Sequence, residues 1–297
     1  MKVLLTYRYR DPVDLPTSWV RFGKPTARNL READALVSLL LDRIDARVFD
    51  LARRLRIVAN VAAGYENVDL EAARARGVFV THVPDVTTEA TADLTWALIL
   101  AVARRIVEGD RFVRDDRFRG WDFGLMLGMD LRGKTLGIVG PGRIGRAVAA
   151  RAVGFGMRVL FAGRDRRELA RVLRESDVVT LHCPVTAESR GMIGERELRG
   201  MKPTTILVNT SRGALVEEES LVKALRRGRI AGAGLDVFED EPRIRSGLLR
   251  LPNVVLLPHI GSATRETRGR MLSTAILNVR ETLAGRVPPN VVPELKS

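Results

Sequence analysis

The chain contains one cysteine, Cys183, in 297 residues. An internal disulfide is therefore excluded, and a reducing, cytoplasmic setting is expected. Cys183 stands near Val178, Val179, Leu181 and Pro184, the setting of a strand or packing residue rather than a nucleophile. Long hydrophobic runs are also missing. The apolar stretch 94–103 is closed by Asp93 and Arg104, too short to span a bilayer, and reads as a buried helix. The first residues offer only Val3 to Leu5 as an apolar core before arginines, so no signal peptide and no membrane partner are expected. Histidine is scarce, with three residues, and no metal site is expected. Lysine is scarce too: six lysines stand against 43 arginines, and the net charge is +13. Such a field attracts anions, phosphorylated cofactors and carboxylates among them. The arginines are spread along the chain without a nucleic-acid motif, so no nucleic-acid partner is expected.

Glycine is plentiful, and six residues use it in an informative order. Gly140-Pro141-Gly142-Arg143-Ile144-Gly145 follows the strand-like run Thr135–Val139 and opens the helical run Arg146–Val153. Strand, glycines and helix in that order make a dinucleotide-binding turn. Gly140 allows the tight turn, Gly142 lets the backbone approach a pyrophosphate, and Gly145 lets helix and strand pack closely. The helix N-terminus offers N–H groups and a positive dipole end to the phosphates.

The 45% hydrophobic content supports a globular core, and the length suggests two domains. Val3–Thr6, Ala35–Leu39, Ile57–Asn60 and Val78–His82 read as strands, with helices at Asp45–Arg54 and Leu70–Arg76. Residues 11 to 25, with three prolines, read as irregular. Thr91 to Val113 reads as one long helix with Leu94, Ala97, Leu98, Ala101 and Ile106 on an apolar stripe. A loop bearing Trp121 and Phe123 follows. Then Thr135–Val139, Arg158–Ala162, Val178–Leu181, Ile206–Asn209, Ala233–Asp236 and Val254–Leu257 read as strands alternating with helices. A last helix, Ser262–Leu283, is expected to return to the first domain. The fold class is therefore α/β: a doubly wound parallel Rossmann sheet with a second, smaller, flavodoxin-like α/β domain. The smaller, substrate-binding domain takes 1–93 plus 268–297, the dinucleotide-binding domain 94–267, and the cleft between them is the expected ligand site.

Cofactor choice is set where the second dinucleotide-domain strand ends, and a carboxylate there favours NAD(H). That point falls at Ala162-Gly163, with no acid, and Gly163-Arg164-Asp165-Arg166-Arg167 follows. Gly163, Arg164 and Arg166 are therefore expected around a 2′-phosphate, which favours NADP(H) and leaves NAD(H) as the other option. His259 follows the last strand, at the end that faces the ligand crevice in an open α/β sheet, and histidine suits proton transfer near neutral pH. His82 and His182, also near strand ends, read as structural. A carboxylate beside an imidazole fixes its tautomer, and Glu239, Asp240 and Glu241 are all candidates. Arg212 follows the Ile206–Asn209 strand, and its guanidinium fork suits a carboxylate.

Together these residues resemble the D-isomer-specific 2-hydroxyacid dehydrogenase family over nearly the whole chain. Four motifs carry the likeness, in order and at family spacing: Gly133 to Gly145, Val208 to Gly213, Gly232 to Phe238 and Pro258 to Ala263. Glu89 to Leu98, His259 to Thr264 and the Gly163-Arg164 turn make it most similar to the glyoxylate/hydroxypyruvate reductases. The resemblance implies an oxidoreductase that passes a hydride from NADPH to a small 2-keto acid. Arg212 would bind the substrate carboxylate and keto oxygen, and His259 would donate the proton. Glu241, directly before Pro242, would hold His259. The backbone amides of Ala63 and Gly64 would receive the carboxylate, and Asp236 would hold the nicotinamide carboxamide. Thr91, Arg143, Ile144, Thr210 and Gly261 would complete the cofactor site. A homodimer through the dinucleotide domains is implied, with the Trp121 loop similar to one that reaches the partner's cleft. The same resemblance leaves two alternatives open: a D-3-phosphoglycerate or other D-2-hydroxyacid dehydrogenase, and a dinucleotide-sensing regulator. Two departures stand out. The segment from Gly163 to Asp177 is short, as though an edge strand were missing, and the chain between Val3 and Ala35 lacks an obvious first helix.

Overall fold

Aliphatic strands joined by helical crossovers pair in parallel, because each crossover returns the chain in the same direction. The computed structural model describes residues 1–9 and 12–296, which form two compact units: 1–87 with 262–297, and 88–261. These divisions fall at the start of a helix at Thr88 and in the turn before the last helix, a few residues ahead of the expected boundaries.

The first unit holds β1 (Val3–Leu5), β2 (Val20–Phe22), β3 (Ala35–Ser38), β4 (Ile57–Asn60) and β5 (Phe79–Thr81), in the order β2-β1-β3-β4-β5 and all parallel. Strand β2 corrects the irregular reading of residues 11 to 25; Asp11 itself lies outside the described residues. It is an edge strand with Arg21 and Phe22 exposed, so no alternating pattern marks it. A one-turn helix, α1 (Ala27–Leu30), also appears where none was evident, anchored by the fully buried Leu30. Helix α2 (Ala46–Leu51) is capped by Asp45, and α3 (Leu70–Ala75) by Asp69. Together α2 and α3 cover one face of the sheet.

The second unit begins with α4 (Thr88–Ala103) and α5 (Ile106–Arg114). The single long helix of the sequence reading is thus broken. Arg105 takes φ +53°, and the N–H of Met129 donates to the Ala103 carbonyl (2.8 Å), closing the end of α4. The expected stripe also shifts. Ala97 and Ile106 are exposed, and the buried set includes Thr91, Thr95, Trp96, Leu98 and Ile99. Trp96 donates Nε1–H to the Val148 carbonyl (3.0 Å) and stacks on Phe155.

Six further strands follow: β6 (Thr135–Val139), β7 (Arg158–Ala162), β8 (Val178–Leu181), β9 (Ile206–Asn209), β10 (Gly232–Leu235) and β11 (Val254–Leu256). They are parallel, in the order β11-β10-β9-β8-β6-β7. Strands β6, β8, β9 and β10 are buried throughout, which is why they read as continuous aliphatic runs rather than alternating ones. Helices α6 (Arg143–Ala152) and α4 pack on one face. Helices α7 (Arg166–Glu175), α8 (Glu195–Gly200), α9 (Glu218–Arg226) and the short α10 (Ser246–Leu249) pack on the other. Strand β7 is the edge: α7 leads from it straight to β8, and no strand of the described residues lies outside it. The last helix, α11 (Arg265–Leu283), is capped by Thr264 and belongs to the first unit. Its buried Met271, Leu272, Ala275, Ile276 and Val279 cover the face of that sheet opposite α2 and α3. Among the described residues no helix is long and apolar enough to cross a membrane.

Candidate active site

The carboxyl ends of β6 to β10 carry the chemistry-bearing residues of the second unit, as the geometry of an open parallel sheet requires. At β6, Gly140 takes φ +97°, and a Cβ there would stand 2.7 Å from the backbone of His182 and Cys183. A Cβ on Gly145 would meet the Gly140 carbonyl oxygen at 2.3 Å. Both positions therefore need glycine for steric reasons. Gly142 differs: it is exposed, with nothing within 4 Å of its Cβ position. It is the N-cap of α6 and, having no side chain, adds no cap of its own to the helix N-terminus that opens at Arg143 and Ile144. A pyrophosphate fits this cradle.

At β7 the arrangement departs from expectation. Arg164 and Arg166 are exposed, and Asp165 is used as the N-cap of α7, accepting from the Arg167 N–H at 2.7 Å. A carboxylate nevertheless reaches the strand end. Glu168, on the first turn of α7, accepts the Gly163 N–H at 3.0 Å. The sequence reading saw no acid here because the group arrives from the following helix.

At β8, His182 donates its backbone N–H to Val139 (2.7 Å). Some of the residue remains accessible, yet both ring nitrogens are buried, and burial lowers its pKa to about 4.

The β9 turn is tightly braced. Asn209 accepts the Ser211 N–H (3.0 Å) and donates to the Arg212 carbonyl (2.9 Å). Ser211 donates its hydroxyl to the Cys183 carbonyl (2.6 Å), and the hydroxyls of Thr210 and Thr95 share a hydrogen bond of 2.9 Å. Gly213 lies so close to the β10 loop that a Cβ would stand 1.9 Å from the Phe238 carbonyl carbon. Arg212 is thereby held against the segment carrying Glu241.

The β10 loop and the segment after β11 meet through two carboxylates. Asp236 is buried, and its oxygens accept the N–H groups of Ile260 (2.7 Å) and Gly261 (2.8 Å). Desolvation still raises its pKa, with those bonds opposing. Thr91 donates its hydroxyl to the Gly261 carbonyl (3.3 Å). Among the three acids the sequence left open, the structure selects Glu241. Its Oε2 lies 2.8 Å from His259 Nδ1, and its Oε1 accepts the Phe238 N–H at 2.9 Å. Glu239 and Asp240 are exposed and paired with Arg245 and Arg243. Burial pushes the Glu241 carboxyl up, but the His259 and Phe238 bonds and the charges of His259 and Arg212 outweigh it, and the net pKa is lowered. An ionised Glu241 only accepts, so His259 Nδ1 must carry the proton and Nε2 is left for other work. His259 itself takes φ +55°, a conformation unusual for a side chain with a Cβ.

Sequence reasoning missed Glu218. It is buried and accepts the Glu239 N–H at 2.8 Å, which braces the loop behind Glu241. Its position on α9, remote in sequence, gave no signal.

Ala63 and Gly64 belong to the first unit, in the loop after β4. The Ala63 carbonyl lies 2.9 Å from His82 Nδ1, and the Gly64 carbonyl accepts from Asn60 (2.9 Å). His82 therefore shapes that loop. Among the described residues no group of histidines, cysteines and acids could hold a metal.

A glycine turn on a doubly wound sheet, with a braced arginine and a histidine–carboxylate pair at its strand ends, defines a dinucleotide-dependent dehydrogenase. The comparisons make this specific. Residues 96–261 match the family described as D-isomer specific 2-hydroxyacid dehydrogenase, NAD binding domain. A glyoxylate reductase of Thermococcus litoralis is 50% identical over 279 residues, 89% of this chain and 84% of the relative. The TT0316 protein of Thermus thermophilus superposes with a TM-score of 0.90 at 46% identity, covering 98% of this chain and 100% of that one. An NADPH-dependent glyoxylate/hydroxypyruvate reductase of Sinorhizobium meliloti, in complex with NADP and malonate, gives 0.85 at 32% identity, covering 99% and 97%. The chain belongs to the D-isomer-specific 2-hydroxyacid dehydrogenases, and it is an oxidoreductase of the nicotinamide-dinucleotide type.

Proposed function

We propose that this chain reduces glyoxylate, with hydroxypyruvate as a second substrate, to the corresponding 2-hydroxy acid with NADPH as the reductant. The observation that carries the reading is the 2.8 Å His259–Glu241 pair with the Arg212 charge beside it. When bound, the dinucleotide supplies the hydride that the keto carbon receives. The residues of the chain do the rest. Arg212 binds the substrate carboxylate and keto oxygen and offsets the charge developing on that oxygen. His259, protonated on both nitrogens, gives its Nε2 proton to the oxygen and keeps its Nδ1 proton on Glu241. The ring ends neutral, in the tautomer that Glu241 already fixes. Ala63 and Gly64 offer backbone amides to the substrate carboxylate. Gly140, Gly142, Arg143, Ile144 and Gly145 take the pyrophosphate. Thr91, Thr210, Asp236 and Gly261 serve the nicotinamide end. Arg164 and Arg166, in the turn that begins at Gly163, serve the 2′-phosphate, which supports NADPH over NADH.

A homodimer is part of the same reading. Trp121, Phe123 and Leu127, close together in sequence, are 84%, 84% and 68% exposed, and such large apolar side chains suit an interface. A groove of about 1360 Å³ runs beside them, lined by Val107, Phe112, Leu125, Met129 and Val255. The single cysteine supports a cytoplasmic setting. Initial rates with glyoxylate, hydroxypyruvate, pyruvate and 3-phosphohydroxypyruvate, each with NADPH and NADH, test the proposal. Highest kcat/KM for glyoxylate with NADPH supports it. Preference for 3-phosphohydroxypyruvate moves the chain to phosphoglycerate chemistry. No turnover of any keto acid, with dinucleotide binding intact, would make it a sensor.

A further inference from the structure

We propose that Glu168 sets the balance between the two dinucleotides, accepting the ribose 2′-hydroxyl of NADH and opposing the 2′-phosphate of NADPH. The inference rests on the reading of the second unit as a dinucleotide site and goes one residue deeper. In this fold the 2′ substituent of the adenosine ribose lies at the carboxyl end of the second strand, here β7. Charged side chains follow that end from Arg164 to Glu168, and they divide by role. Asp165 is committed to capping α7 through the Arg167 N–H. Arg164 and Arg166 are exposed and positive. Glu168 turns back over the end of β7, with Oε2 3.0 Å from the Gly163 nitrogen and 3.6 Å from where a Gly163 Cβ would be. Gly163 is its hydrogen-bond partner among the described residues, and the side chain is otherwise exposed. Its second oxygen can accept a hydroxyl, as the strand-end acid of an NAD site does.

Two physical consequences follow for a 2′-phosphate. Glu168 occupies the Gly163 backbone N–H at the strand end, and its negative charge repels the phosphate at short range. The arginines attract the phosphate and Glu168 limits that attraction. The short segment between β7 and β8 is what makes this arrangement: α7 starts three residues after Gly163 and carries its third residue back to the turn.

The test is equilibrium binding. NADPH and NADH are titrated separately into the full chain, following nicotinamide fluorescence, for the wild type and for Glu168→Gln. Glutamine keeps an acceptor for the Gly163 N–H and removes the charge, so the turn survives. The Kd for NADPH should fall and that for NADH should rise. Their ratio should then move toward NADPH by roughly tenfold, the scale of one charge beside a partly screened anion. The shift should shrink in 1 M salt, where the Debye length is about 3 Å. Glu168→Asp, which keeps the charge on a shorter arm, should move NADPH less than Glu168→Gln does. A ratio unchanged within twofold, or two Kd values that rise together, would mean that Glu168 only braces the turn. A wild type that binds neither dinucleotide overturns the underlying site as well, and that result is distinct from the first two.

Discussion

Replacing Glu241 by glutamine tests the centre of the site with almost no change of shape. In the native protein Oε1 accepts the Phe238 N–H at 2.9 Å and Oε2 meets His259 Nδ1 at 2.8 Å. The amide must keep its oxygen toward Phe238, since the backbone N–H can only donate. Its NH₂ group then faces Nδ1, which must become an acceptor. The neutral ring is forced to carry its proton on Nε2, and the doubly protonated ring loses its counter-charge. Hydrogen bonds to charged groups contribute about 1.5–3 kcal/mol. Losing one from the proton-donating form predicts a fall in kcat of roughly ten- to 150-fold. The assay is the initial rate of glyoxylate reduction from pH 5 to 9 at saturating dinucleotide, with dinucleotide Kd measured in parallel. A kcat within twofold of wild type, or a loss that appears only in dinucleotide Kd, refutes the reasoning. Stability gives a separate readout. Glu241 has a lowered pKa in the folded state, so its contribution is present above the ordinary carboxylate range and is lost as pH falls through the folded value. The glutamine variant should therefore lose less stability between pH 6 and pH 3 than the wild type.

Arg212→Lys keeps the charge but not the planar fork, and should cost about 2–4 kcal/mol in kcat/KM for glyoxylate while dinucleotide fluorescence titration is unchanged; an unaffected kcat/KM removes Arg212 from the substrate. Gly213→Ala places a Cβ 1.9 Å from the Phe238 carbonyl carbon, and backbone cannot step aside as a side chain would. Differential scanning calorimetry should show destabilisation of at least about 1–3 kcal/mol, with kcat reduced because Arg212 shifts; equal stability would mean the two turns are not packed as described. His182, with its folded pKa near 4, must take up a proton to unfold between about pH 4 and its ordinary 6.5. Stability therefore falls with acidification across that window, by at most about 3 kcal/mol, and denaturant titrations of His182→Leu should show a flatter pH dependence there; an unchanged slope would assign the acid sensitivity elsewhere.

What the sequence reveals of the fold follows from burial. Strands β6, β8 and β9 have sequences that nothing but a two-sided core explains, and their limits were legible from composition alone. Strand β2 was not, because an edge strand with Arg21 and Phe22 exposed carries neither a continuous nor an alternating pattern. The break between α4 and α5 was hidden for a different reason. No proline or glycine marks it; it is made by Arg105 in a left-handed conformation and by a loop more than twenty residues later that takes up the Ala103 carbonyl. Local propensity cannot report a helix end imposed from a distance.

The site divides along the same line. Gly140 and Gly145 announce themselves because close backbone approach admits one residue type, and the structure supplies the clashes that a Cβ would meet, there and at Gly213 as well. Arg212 and His259 could be placed because strand ends in a parallel sheet point to the crevice. The carboxylates could not be assigned so easily. Choosing Glu241 over Glu239 and Asp240 needs to know which side chain the loop turns inward, and that is set by Glu218 on another helix holding the Glu239 N–H. Glu168 shows the same limit more sharply. Counting from Gly140 leads to a strand end without an acid, and the inference from that count is an unopposed phosphate site. In three dimensions one helical turn returns a carboxylate to the same point. A motif read along the chain counts residues, while recognition counts the charges within reach of the ligand atom. Where a helix starts immediately after the strand, the two counts differ, and the electrostatics of the assembled turn decide.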